Sequence, residues 1–177
     1  IREAASIMTG VVLFTIVLAI TTRTFEQFPR ESIETATQWI SLLPNLAISF
    51  SVEPLGVLFA LVASLLWIVT TLYAMGYMRG HGEINQTRFF TCFALAISTV
   101  MAICFSANLL TLFIFYELLT LSTFPLVTHA GTDDAKRGGR IYLGILLGTS
   151  IAFLLFAILL TWVTADTLTF TQGGILA

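Results

Sequence analysis

Five apolar runs, each close to the roughly 20 residues that an α-helix needs to cross the hydrocarbon core of a bilayer, dominate this chain. They fall at about 4–22, 54–78, 89–106, 109–128 and 141–163. No water inside that layer can satisfy backbone N–H and C=O groups, so runs of this length are expected to be helices. Hydrophobic residues make up 57% of the 177 positions and charged ones 10%, with mean hydropathy +0.95, which excludes an ordinary soluble domain. The expected fold class is an all-α integral membrane protein with about five transmembrane helices. The first run could pass for a secretion signal because Arg2 precedes it. It is longer than a signal's apolar core, however, and lacks a small-residue cleavage site before Arg23, so it reads as a span.

The net charge of −2 belongs to loops, and no basic face invites nucleic acid. Cys92 and Cys104 lie on one run, about 18 Å apart along a helix, too far to pair with each other. The sequence carries no metal-ligand cluster, phosphate loop, nucleophile triad or cofactor motif. Covalent chemistry is therefore not expected of this chain alone, and neither a metal nor a cofactor is.

Lys and Arg set the orientation. Arg2, Arg79, Arg88, Lys136, Arg137 and Arg140 fall on the side of the N-terminus, while Arg23 and Arg30 fall on the other. Six against two places the N-terminus, the 79–88 loop and the 131–140 loop in the cytoplasm of a multi-pass protein of the inner (cytoplasmic) membrane. Ser106-Ala107-Asn108 is then a tight outward turn between the third and fourth spans, and the segment after Trp162 also faces outward. In the long outer loop, 23–53, Leu46–Val52 alternates apolar with small or polar residues, the pattern of a strand that needs a hairpin partner or overlying loops. Phe25, Phe28 and Trp39 read as anchors at the headgroup level. Glu53-Pro54 opens the second span, with the acid in a capping position.

Glu117 is the one ionisable side chain near the middle of a span. Nine residues from Asn108, it lies about 13.5 Å into a core roughly 30 Å thick. A charge at that depth is unfavourable by roughly 2.5–3.5 kcal/mol on insertion scales, which makes the residue a candidate for moving protons or cations. Thr120 shares its face, and Thr128 returns to that face three turns on. Pro125 cannot donate to the Leu121 carbonyl, so a kink and a freed acceptor are expected there. Acid, hydroxyls and a free carbonyl on one helix are the ingredients of a hydrated proton path. Desolvation favours the neutral form of a carboxyl and a nearby cation its charged form, yet no span offers that cation. The alternative is a scaffolding subunit in which Glu117 is structural, a neutral acid hydrogen-bonded to a neighbouring helix. His129, at the cytoplasmic end of the same span, is a candidate proton relay, whereas His81 reads as a solvated loop residue. Gly144 and Gly148 form a GxxxG that marks close helix packing.

The run from Ser106 to Thr128, SANLLTLFIFYELLTLSTFPLVT, with HAGTDDAKRGGRIYL after it and VEPLGVLFALV and LYAMGYM before it, resembles the antiporter-like subunits of respiratory complex I, membrane-bound hydrogenases and Mrp-type cation/proton antiporters. The resemblance covers the chain from about residue 46 onward, and its 124–143 stretch is closer to the Mrp and hydrogenase-associated branches. It implies subunits of about fourteen helices built as two inverted five-helix repeats. Glu117 would then sit on the fifth helix, working in a proton half channel with a lysine on a broken seventh. The five runs correspond to family helices two to six, so the sequence reads as an N-terminal fragment or a split subunit that stops before the lysine. The function implied is proton translocation coupled to cation antiport or to a redox complex. The partners implied are other membrane subunits, protons and Na+, and the bilayer itself.

Overall fold

The computed structural model describes residues 2–27, 37–43, 46–171 and 173–176. Five helices alternate in direction. Helix α1 is Arg2–Gln27, α2 Pro54–Gly80, α3 Gln86–Cys104 and α4 Leu109–Val127, while α5 runs over Asp133–Ala165. All five are long and apolar enough to cross a membrane. Large apolar side chains such as Tyr73, Phe153 and Val163 stay exposed around the bundle, the inverse of a soluble core and the surface a lipid environment requires.

The bundle has two ends of different construction. At one, the hairpin end, strands β1 (Thr37–Leu43) and β2 (Leu46–Phe50) pair antiparallel, with Thr37 opposite Phe50 and Leu43 opposite Leu46. The strand expected at 46–52 thus finds its partner just upstream. At the other, the basic end, lie the start of α1, the 81–85 link and the start of α5.

Several boundaries differ from expectation for local reasons. Helix α1 continues past Thr22 to Gln27, with the Thr24 hydroxyl donating to the Ile20 carbonyl at 2.9 Å. Arg79 and Arg88 belong to helices, not to a loop, and Arg79 forms a two-pronged pair with Glu3 of α1, Nε donating to Oε1 at 2.9 Å. The charged 133–140 stretch, expected as loop, is the opening of α5. Thr132 caps it by accepting from the Ala135 N–H at 3.1 Å, and Asp133 and Asp134 sit where the helix dipole favours acids. Near its middle, Ser150–Leu155 winds as a π-helix, an excursion that no residue there announces.

Glu53 does occupy the N-cap of α2 with Pro54 following, but its side chain makes no cap hydrogen bond. Its carboxylate accepts from the Ser51 hydroxyl at 3.2 Å instead. Phe25 lies exposed on the last turn of α1, while Phe28 and the side chain of Trp39 lie outside the described residues. Within the described residues the Gly144–Gly148 face meets no neighbour, since a Cβ on either glycine would find nothing within 4 Å. Close packing occurs at other glycines. A Cβ at Gly56 would collide with the Cys104 carbonyl, and one at Gly139 with Thr128 Cγ2, so these two residues let α2 approach α3 and α5 approach α4.

Candidate functional site

Helix α4 carries the site. Asn108 starts it, with side-chain Oδ1 accepting from the Thr111 N–H at 2.7 Å, and the helix runs through Pro125 to Val127. It packs chiefly on α3 and also touches α5 and β2. Glu117 falls midway, on a half-buried position whose two carboxylate oxygens are sheltered and lack any hydrogen-bond partner among the described residues. Leaving such an acceptor buried and unpaired is unfavourable by about 1–3 kcal/mol, more if it is charged.

Thr120 is buried, and its hydroxyl donates to the Tyr116 carbonyl at 3.1 Å. Ser122, Thr123 and Thr128 likewise donate to Leu119, Thr120 and Phe124 carbonyls at 2.8, 2.9 and 3.0 Å. A hydroxyl that donates inward keeps lone pairs to accept with. The stretch from Glu117 to the end of α4 is therefore a series of acceptors running toward the basic end.

His129 lies just beyond the Thr128 C-cap, roughly 18 Å from Glu117 along the helix, so the two residues are not brought into contact. Its neighbours come from elsewhere. Nε2 stands 3.8 Å from Glu83 Oε2, and the ring meets Phe89 edge-on with centroids 5.4 Å apart. Both ring nitrogens are buried without a hydrogen-bond partner among the described residues. The remaining orphan is Trp67 Nε1, whose ring stacks on Phe93 at 3.9 Å. His81 is exposed and stacks on Tyr77, as a solvated residue should.

Sequence reading missed two participants. Glu83 looked like one more loop charge, since nothing local ties position 83 to 129. Asn108 looked like a break between spans, whereas its side-chain nitrogen donates to the Ala47 carbonyl at 2.8 Å and to Ser49 Oγ at 2.6 Å. Its position directly before an apolar run was the signal that could have revealed the cap.

The fold defines a multi-pass helical membrane protein. Two family models match: the N-terminus of chain 5 of NADH-ubiquinone oxidoreductase (complex I) over residues 39–90, and the transmembrane region of NADH:quinone oxidoreductase/Mrp antiporter subunits over 106–174. The chain belongs to this complex I/Mrp antiporter family. It is 30% identical over 122 residues, 68% of its length, to an NAD(P)H-quinone oxidoreductase subunit 5 of Paulinella chromatophora. It is also 27% identical over 109 residues, 62% of its length, to a Staphylococcus aureus protein named as antiporter subunit mnhA2. It spans 18% and 13% of the length of those relatives. Its fold is that of a chain in an archaeal respiratory complex, the membrane-bound sulfane sulfur reductase, with a TM-score of 0.72, 15% identity, and coverage of 94% of this chain and 33% of that one.

Proposed function

We propose that this chain is part of a proton-translocating membrane subunit in which Glu117 takes up and releases the proton. The observation that carries the proposal is the unpartnered carboxyl of Glu117, midway along an α4 that lies within the family-matching region. A group poised without a fixed partner can exchange protons with a partner that arrives. Thr120 and the freed backbone acceptor expected near Pro125 line the route, and His129 relays protons at its mouth. A lysine brought within about 4–6 Å by the rest of the assembly would offset desolvation and make ionisation switchable.

The other membrane subunits of a multisubunit complex are its partners, and the coupled process is cation antiport, with Na+ as the exchanged ion, or a redox reaction elsewhere in the complex. The gathering of Arg79, Arg88, Lys136, Arg137 and Arg140 at one end supports a cytoplasmic basic end in an inner (cytoplasmic) membrane. Glu117→Gln in the complete assembly is the test, because it keeps size and hydrogen bonding but removes titration. Proton movement into vesicles should be abolished while the complex still assembles. Wild-type pumping by that variant would refute the proposal.

A further inference from the structure

Another group without a hydrogen-bond partner among the described residues, the His129 ring, stands at the basic end of α4 opposite a carboxylate that the Glu117 mechanism does not use. The chain builds this meeting with some care. Gly82, at φ 61°, and Asn85, at φ 57°, take left-handed conformations that turn the chain between α2 and α3 within a few residues. Glu83 is pinned in that turn by its N–H donating to the Met78 carbonyl at 3.0 Å and by its carbonyl accepting from Gln86 Nε2 at 3.0 Å. Across from it, Arg88 Nη2 donates to the His129 carbonyl at 3.4 Å and holds the end of α4.

Backbone anchoring on both sides leaves the two functional groups 3.8 Å apart, within ion-pair reach but too far for a hydrogen bond. A structural staple would close that gap. Here Glu83 and His129 instead line a cavity of about 450 Å³ between α2, α3 and the end of α4, which Tyr73, Tyr77 and Phe89 also line. The space is lined mostly by apolar side chains, with the carboxylate and the imidazole facing each other across it, and one water between those two would bridge them.

We propose that Glu83 and His129 form a proton-loading site, which takes a proton from the aqueous phase at the basic end and holds it as an imidazolium–carboxylate pair ahead of the α4 hydroxyls and Glu117. The other charged or titratable groups nearby are accounted for. Arg88 is engaged with the His129 carbonyl, and Tyr73 and Tyr77 border the cavity, with His81 stacked on Tyr77. On α5, Asp133, Asp134, Lys136 and Arg137 are exposed, with Lys136 paired to Asp133 at 3.6 Å, and Glu3 is taken up by Arg79.

The inference rests on Glu117 carrying protons, and its test separates the two. Glu83→Gln, His129→Gln and the double variant are placed in the complete complex in vesicles, and the proton transport rate is followed from pH 6 to 8.5. A loading site matters most where protons are scarce. Each single variant should be slowed roughly tenfold at the alkaline end, the equivalent of one pH unit, and little at the acidic end. The double variant should be no slower than either single one, and small mobile buffers should restore the rate. A uniform loss at every pH without buffer rescue, failure of both variants to assemble, or an unchanged pH profile would each overturn the loading site. The Glu117 reading fails separately, if Glu117→Gln itself still transports or fails to assemble.

Discussion

The hairpin end and the basic end treat their buried polar atoms in opposite ways. At the hairpin end Asn108 uses both side-chain functions, donating to Ala47 and Ser49 and accepting from Thr111, while the Thr111 hydroxyl accepts from the Ser49 N–H at 3.0 Å. Backbone bonds complete the closure. Ser51 N–H reaches the Phe105 carbonyl at 2.8 Å, Ala107 N–H that of Ser49 at 3.0 Å, and Leu109 N–H that of Leu168 at 3.0 Å. β2, the α3–α4 turn and the segment after α5 are thereby tied into one knot. From mid-helix to the basic end, by contrast, both carboxylate oxygens of Glu117 and both ring nitrogens of His129 lack a hydrogen-bond partner among the described residues. Satisfied networks rigidify, whereas unsatisfied buried groups are tolerated where they have work to do. The hairpin end is built as scaffold, and the other half of α4 holds the groups to which the proposed proton chemistry is assigned.

The sharpest way to break this contrast is to exchange the outcomes. Glu117→Gln should leave expression, insertion and assembly at wild-type levels while proton flux in the complete complex falls to background, and infrared difference spectra should lose a protonated-carboxyl band. If it fails to assemble, mid-α4 is scaffold too. Asn108→Ala should do the reverse. It strands several buried groups, at about 1–3 kcal/mol for each one left unpaired. Faster amide exchange across 46–50 and 106–111, with unchanged exchange at 83–88, would localise the damage. Damage spread evenly over both ends would dissolve the distinction.

Two glycines test the ends at smaller amplitude. Gly56→Ala drives a methyl into the Cys104 backbone, which cannot step aside, and should destabilise by about 3 kcal/mol. Gly139→Ala meets the side chains of Thr128 and Phe124, which can shift, and should lose about 1 kcal/mol. Thermal unfolding in detergent would rank them, and equal losses would mean that α4 and α5 are as rigidly joined as α2 and α3. The last probe reads topology alone. Single cysteines at Asn85 and Thr132 should react with an impermeant reagent only from the cytoplasm, and one at Gln38 only from outside. External reaction at Thr132 would invert the assignment of both ends.

Hydrophobic run length, a property of neighbours in sequence, was enough to specify five helices, because the bilayer leaves an apolar stretch of that length one way to satisfy its backbone. Alternation at 46–50 specified the strand for a similar local reason, and the spacing from Asn108 specified the depth of Glu117. The pattern could not reveal that α5 begins in a charged stretch, since hydropathy passes over helical turns outside the hydrocarbon layer. Nor could it decide which face of α5 finds a neighbour, so the GxxxG pattern indicated packing that the chain places at Gly56 and Gly139. Partnership is the property that only the tertiary structure decided. Asn108 meets residues some sixty positions away, and Glu83 meets His129 across two helices. Such pairings depend on how helices turn and stack in three dimensions, and that same arrangement left the Glu117 carboxyl without a hydrogen-bond partner among the described residues.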